Sequence, residues 1–238
     1  MIAVVGQPLL VFVHSPLVGP LTWRAVADRF AARGWPVAVP DVRAALTGPP
    51  YHDAVARAVA AALTGHAGHG PAVLFGHSGA GPLLPRIARE LAAPPAAVVY
   101  VDALLPHPGR SWFDSAPPEL VARLQALAGG GATLPPWHEW FPADVVAALL
   151  PDERLRAAFT AEVPRLPLAY LAEPASADDW SGPAGYVLLS EAYRDVADAA
   201  RAAGMPVVER LGHHLAPVSD PDGVVEAARR VLADLQVA

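Results

Sequence analysis

Ten residues in the first third of the chain, Ala72-Val73-Leu74-Phe75-Gly76-His77-Ser78-Gly79-Ala80-Gly81, restrict its fold more than any other stretch. The apolar run Pro71-Ala72-Val73-Leu74-Phe75 has the pattern of a buried parallel strand. Gly-His-Ser-Gly then makes a tight turn, and a helix is expected from Gly79 to about Leu91, through Pro82-Leu83-Leu84. A turn this sharp forces Ser78 into a strained backbone conformation, so Gly76 and Gly79 beside it must lack colliding side chains. The strain lifts the hydroxyl off the sheet edge, and the helix start behind it offers N–H groups and positive potential to a developing oxyanion. Gly-x-Ser-x-Gly occurs in ordinary loops too. A strand before it and a helix after it are what make Ser78 a candidate nucleophile.

The remaining chain supplies the units such an element needs. Leu9 to Val13 is a continuous β-rich run, followed by a helix from about Leu21 to Arg33 with Trp23, Val26, Ala27 and Phe30 on one face. Pro36 to Pro40 is a short strand, residues 51–64 form an Ala-rich helix, and Ala96 to Val101 is a buried strand ending at Asp102. Later come a strand over Gly185 to Leu189, a helix from Tyr193 to Ala203, and a strand over Pro206 to Leu211. A final helix runs from Asp220-Pro221 to Leu235. Strand alternating with helix at this spacing predicts an α/β fold, a mainly parallel sheet with helices on both faces.

The alternation lapses between Leu105 and about Gly182. Helical pieces (119–127, 144–150 and 152–162), a Gly129-Gly130-Gly131 hinge and the cluster Trp137-His138-Glu139-Trp140-Phe141 occupy the gap, with no convincing core strand. The segment reads as a helical cap, about 105–182, inserted over the carboxyl edge of the sheet in a single 1–238 domain. Trp137, Trp140 and Phe141 serve as cap core or as the wall of a substrate pocket, and His138 and Glu139 beside them suggest a cavity edge.

Composition narrows the partners. Seventeen basic residues, all arginine, against 23 acidic ones leave a formal charge of −6, which argues against nucleic acid or an anionic membrane surface. There is no cysteine, hence no disulfide framework and no thiol chemistry. The stretch from Met1 to Pro16 is apolar but has no basic residue before Arg24 and is interrupted by Gly6, Gln7 and Pro8, a poor fit to a signal peptide. A cytoplasmic protein is the expectation. His66-x-x-His69 has no cysteine or obvious carboxylate near it and is not read as a metal site, and no cofactor is implied.

Val11-Phe12-Val13-His14, Gly76-His77-Ser78-Gly79-Ala80-Gly81 and Gly212-His213-His214 before Asp220-Pro221 together resemble the α/β-hydrolase superfamily over nearly the whole chain. The order serine, acid, histidine is that superfamily's order. Val99 to Pro106, followed by Pro108-Gly109-Arg110-Ser111, resembles the entry to the cap in the small capped branch of plant-type esterases and hydroxynitrile lyases. Haloalkane dehalogenases resemble it there as well, but they carry an aspartate where Ser78 stands. The resemblance implies a catalytic imidazole seven residues before the last helix's proline, which selects His214 over its alternative His213. It also implies two positions for the acid: Asp102, favoured because Ser190 to Asp195 lacks the usual Gly-x-x-Asp turn, and Glu191, with Asp195 a distant third.

Relatives commonly follow the first strand with His-Gly-x, the N–H of x being the second oxyanion donor beside Gly79 N–H. Here the run is His14-Ser15-Pro16, and proline has no N–H, so Leu17 N–H or the Ser15 hydroxyl must substitute. His14 and His77 read as structural anchors. Three functions are compatible with these residues: a serine hydrolase of a small apolar ester, thioester or lactone; an acyltransferase using the same acyl-enzyme, its small-molecule substrate free or presented by a carrier protein; and a non-catalytic small-molecule binder.

Overall fold

The computed structural model describes residues 7–66 and 68–237. Residues 1–6, part of the stretch weighed above against a signal peptide, lie outside the described residues. In chain order the first half comprises β1 (Pro8–Val13), α1 (Leu21–Ala31), β2 (Val37–Ala38), α2 (Tyr51–Ala62), β3 (Gly70–His77), α3 (Leu84–Glu90) and β4 (Ala97–Val101). An excursion follows, built of α4 (Trp112–Ser115), α5 (Pro118–Leu127), β5 (Thr133–Leu134), α6 (Ala143–Leu149), α7 (Glu153–Ala161), β6 (Leu166–Pro167) and α8 (Leu168–Ala172). The chain then returns with β7 (Ala184–Leu188), α9 (Arg194–Ala202), β8 (Val207–Glu209), α10 (Ala216–Ser219) and α11 (Pro221–Asp234).

Six strands form one parallel sheet in the order β2-β1-β3-β4-β7-β8, which puts the serine-bearing strand and the strand ending at Asp102 side by side at its centre. Period-two alternation sorts the side chains. Leu9, Val11 and Val13 join the core under α2, α3 and α9, while Leu10 and Phe12 join the opposite core under α1 and α11. Trp23 and Phe30 of α1 close over Phe12 with ring centroids 5.1 and 5.8 Å away.

Between Val101 and Ala184 no described residue joins this sheet; its only strands there are the two-residue antiparallel pair β5–β6. Leu124, Leu134, Leu166 and Tyr170 nevertheless sink into the core beneath α2 and α3. Val18, Leu150, Phe159 and Leu215 form a second apolar seam on the other side. A polar pin joins the two layers as well. Pro20 gives α1 no side-chain cap, and the Glu162 carboxylate, just past α7, accepts the Leu21 N–H at 2.8 Å and pairs with Arg24 at 2.7 Å. Gly19 permits that approach, because a Cβ there would lie 2.4 Å from Glu162 Cβ.

One local expectation is corrected. The turn of chain from Ser78 to Leu83 is a 3₁₀ helix, and the α-helix begins only at Leu84. Pro82 has no N–H to donate to the Ser78 carbonyl, and that carbonyl instead accepts the Leu104 N–H at 3.2 Å. The tighter turn ties the serine loop to the chain leaving β4. Gly81 sits at the crossing, where a Cβ would fall 1.9 Å from the Leu104 carbonyl oxygen.

Candidate active site

Two strained residues mark the carboxyl ends of the central strands. Ser78, directly after β3, has φ +57°, and Asp102, directly after β4, has φ +44°. Non-glycine residues reach this region at a cost of about 1–3 kcal/mol, so the fold must hold both in place. For Ser78 the turn is made possible by Gly76, whose missing side chain leaves room for Leu84, and by Gly79, where a Cβ would press on Ser15 Oγ at 3.0 Å.

Asp102 is fully buried, and every visible lone-pair direction of its carboxylate is used. Oδ1 accepts the Leu189 and Ser190 N–H groups at 2.8 and 2.9 Å; Oδ2 accepts the Ser190 hydroxyl at 2.6 Å and His214 Nδ1–H at 2.8 Å. Burial alone would raise the carboxyl's pKa, but the hydrogen bonds from His214, Ser190 and Leu189 outweigh it and hold the acid below its ordinary range. With Nδ1 donating to Asp102, neutral His214 carries its lone pair on Nε2.

The imidazole is also held through its faces. His77 lies 4.5 Å from it in a stacked arrangement, and the Tyr193 ring is almost parallel to it, at 5.0 Å and 4°. His77 Nε2–H donates to the His214 carbonyl at 2.9 Å. Burial, and then the neighbouring His214, push the His77 pKa down to about 3, so this ring stays neutral and acts as a fixed support. The Tyr193 hydroxyl is 3.4 Å from Ser78 Oγ, a long contact. Ser78 makes no hydrogen bond to His214, although both line one small cavity with Trp137. Tyr193 therefore belongs to the site; in the sequence it shows only as the first residue of a helix.

The other candidates are placed as follows. Glu191 is exposed and paired with Arg194 at 2.8 Å, away from His214. His213 accepts the Leu215 N–H on Nδ1 at 3.2 Å and shares a 3.0 Å hydrogen bond with Ser219, which builds the loop and leaves it out of the site. His14 donates Nδ1–H to the Ser15 carbonyl at 2.9 Å and accepts the Val42 N–H at 3.1 Å, a buried anchor. The His66 and His69 rings stand 6.0 Å apart, and among the described residues no group of three or more metal-ligating side chains gathers.

At the oxyanion side, Leu17 N–H is already donated to Ser15 Oγ at 3.2 Å. With that lone pair occupied, the Ser15 O–H is the group left to donate beside Gly79, whose N–H belongs to the first turn of the 3₁₀ helix. Ser15 and Leu17 line both the Ser78 cavity and a second chamber, walled by Trp112, Leu124, Trp140, Tyr170 and Leu171. Trp140 is fixed there by its indole N–H to the Pro135 carbonyl at 2.8 Å. Phe141 lies outside both spaces: it lines a separate groove with Val146, Arg156 and Thr160, with Trp137 edge-on at 5.4 Å and the Arg123 guanidinium over its ring.

Among the described residues no helix is long and apolar enough to cross a membrane. An extracellular α/β-hydrolase from a Paenibacillus species, described as sharing structural and functional homology with tobacco salicylic acid binding protein 2, superposes with a TM-score of 0.77. The two are 17% identical over 94% of this chain and 99% of that one. Tomato methylketone synthase I, solved with 2-tridecanone, gives a TM-score of 0.71 at 19% identity over 96% and 98% of the two chains. A thermophilic esterase from Thermogutta terrifontis gives 0.65 at 18% identity over 97% and 91%. At such identities these likenesses show the fold. No curated protein matches in sequence. The model of the alpha/beta hydrolase family matches residues 10–227, and the chain belongs to that family.

Proposed function

We propose that this family hydrolase acts on an ester, thioester or lactone of a small apolar acyl compound through a covalent acyl-enzyme on Ser78. The observation that carries the reading is the 2.8 Å hydrogen bond to a fully buried, ionised Asp102 from His214, which shares a cavity with the strained Ser78. In the first step Ser78 Oγ bonds to the substrate carbonyl carbon and its proton passes to His214 Nε2. Asp102 holds the imidazole in the Nδ1–H tautomer and stabilises the imidazolium that forms. The carbonyl electrons move onto oxygen, where Gly79 N–H and the Ser15 O–H donate to the oxyanion. Collapse breaks the bond to the leaving alcohol or thiol, which takes the proton from His214; water then repeats the sequence in reverse and frees the acid.

In the resting arrangement Ser78 Oγ leans to the Tyr193 hydroxyl, so the serine must turn toward His214 Nε2 as the substrate enters. Burial pushes the Tyr193 phenol up to about 12, which keeps it a neutral hydroxyl at any physiological pH. Its parallel ring meanwhile keeps the imidazole plane where Ser78 can reach it.

The esterase and hydrolase names of structural neighbours favour ester-type substrates without naming one for this chain. A second reading, acyl transfer to an alcohol, amine or carrier thiol, is favoured by the apolar enclosure under the cap, since excluding water protects an acyl intermediate. A fluorophosphonate should label the wild type at Ser78 and fail to label Ser78→Ala. Turnover of any ester by a folded Ser78→Ala protein at the wild-type rate would sink the covalent mechanism. Product analysis with an added amine or alcohol acceptor separates hydrolysis from transfer.

A further inference from the structure

The turn that follows β7 delivers two groups to the site at once. Ser190 opens it and clamps Asp102 with its N–H and its hydroxyl; three residues on, Tyr193 donates its N–H back to the Ser190 carbonyl at 3.1 Å. One tight turn, a 3₁₀ helix over Glu191–Tyr193, thus fixes the phenol ring relative to the carboxylate. Arg194, the next residue, braces the turn by pairing with Glu191 and Glu209, both at 2.8 Å. The ring so placed lies parallel to the His214 imidazole, 5.0 Å between centroids and 4° between planes. The imidazole therefore meets the flat π-face of Tyr193 and not its edge.

His214 is the group whose charge changes during the reaction. The ionisable groups packed on it are Asp102 after β4, His77 at the end of β3, Tyr193 after β7 and its own neighbour His213. Burial, and then the nearby His214, hold both His213 and His77 below the ordinary histidine range, so Asp102 alone is charged at neutral pH. Asp102 takes the Nδ1 edge of the ring and leaves Nε2 for Ser78, while the faces go to His77 and Tyr193. The side chain is only 21% exposed, so water solvates little of an imidazolium formed there. A cation within about 6 Å of an aromatic centroid, over the ring face, is attracted by the ring quadrupole, and more strongly where water is scarce. A neutral imidazole gains far less from the same face.

We infer that Tyr193 is a positioning residue with an electrostatic part: the π-face of its ring stabilises the imidazolium form of His214, and with it the transition states in which His214 holds the Ser78 proton. Stabilisation of the cation follows from the stacking geometry alone, whereas its use in the reaction rests on the acyl-enzyme reading above. The phenol hydroxyl is secondary, since it makes only a long contact to Ser78 Oγ and the ring is what meets the charge. The expected size is up to about tenfold in the proton affinity of His214, or about one pH unit in its titration.

The test compares the full-length Tyr193→Phe protein with counterparts whose phenylalanine at that position carries one, two or three ring fluorines. Fluorine changes the ring's size little but withdraws negative charge from its face stepwise, so a ring that merely packs would leave His214 unmoved. Carbon-13 NMR of the imidazoles, with the His214 signal assigned by its loss in His214→Gln, follows the titration without any substrate. A less stabilised cation gives up its proton more readily. The His214 midpoint should therefore move to lower pH with each fluorine, by up to about one unit over the series. The acid limb of the fluorophosphonate labelling rate at Ser78 should move with it. A midpoint that stays fixed across the series, or one that rises, overturns the inference. Labelling of the wild type keeps the two readings apart: a stepwise fall without labelling would remove the hydrolase and keep the cation–π contact, and labelling with a fixed midpoint would remove the contact and keep the hydrolase.

Discussion

Asp102 and Glu191 follow neighbouring parallel strands, β4 and β7, and both are carboxylates at the same edge of the sheet. Their circumstances are opposite. Asp102 is fully buried, turned in by a left-handed backbone, and receives four hydrogen bonds, one of them from His214. Glu191 stands in solvent and is spent on Arg194, which bonds Glu209 as well. The loop carrying Glu191 still contributes to the site, but with donors. The N–H groups of Leu189 and Ser190 and the Ser190 hydroxyl hold Asp102, and the Tyr193 ring lies against His214. A carboxylate can orient an imidazole only if the protein dries it and satisfies its other lone pairs; otherwise the nearest arginine takes it.

The sharpest way to break this contrast is Asp102→Asn, which should lower the acylation rate by up to about 10⁴-fold through the wrong His214 tautomer and an unsupported imidazolium. Burst kinetics with an activated ester reads it, and a folded Asp102→Asn protein of near-normal rate reverses the assignment. Next in size is Ser15→Ala, which removes the O–H proposed above as the second oxyanion donor beside Gly79 N–H. A loss of about 10²–10³-fold in kcat with little change in KM is expected. If Leu17 N–H, freed by the substitution, takes over, the loss will shrink to a few-fold, and the hole is made of backbone after all.

A third outcome concerns pH. His77 titrates near 3 in the folded protein and near 6.5 when unfolded, so unfolding takes up a proton across that window. Stability from its neutral burial is therefore complete above about pH 6.5 and declines as the pH falls toward 3, by at most about 1.4 kcal/mol per pH unit. Melting temperatures of His77→Gln should fall less steeply than those of the wild type between pH 6.5 and 4; parallel curves would show that His77 is not what acid attacks. The smallest effect belongs to Glu191→Gln. Its pair with Arg194 is solvent-screened, so the acylation rate should stay within about twofold of the wild type. A dead, folded Glu191→Gln enzyme would overturn the comparison.

Local patterns were legible because local sterics write them. The run Val73 to Phe75, the Gly-His-Ser-Gly turn and the apolar face of α1 each announce one element, and the continuous apolar run Leu9 to Val13 announces a strand covered on both faces. The pattern suggests a helix from Gly79, and the 3₁₀ turn found there instead follows from Pro82, whose missing N–H rules out the α-helical bond to Ser78. Three matters were decided only by tertiary structure. The pairing of Asp102 with His214 joins residues 112 apart and depends on which strand ends are adjacent, how deeply each is buried and how many donors the opposing loop supplies. Tyr193 enters the site only because the turn after β7 brings its ring onto an imidazole from the loop after β8. The wall of the chamber likewise draws His52, His107, Trp140 and Tyr170 from four separate stretches. A chain encodes its elements through neighbours in sequence, but a site is assembled by desolvation and hydrogen bonding between neighbours in space, and those exist only once the sheet has closed.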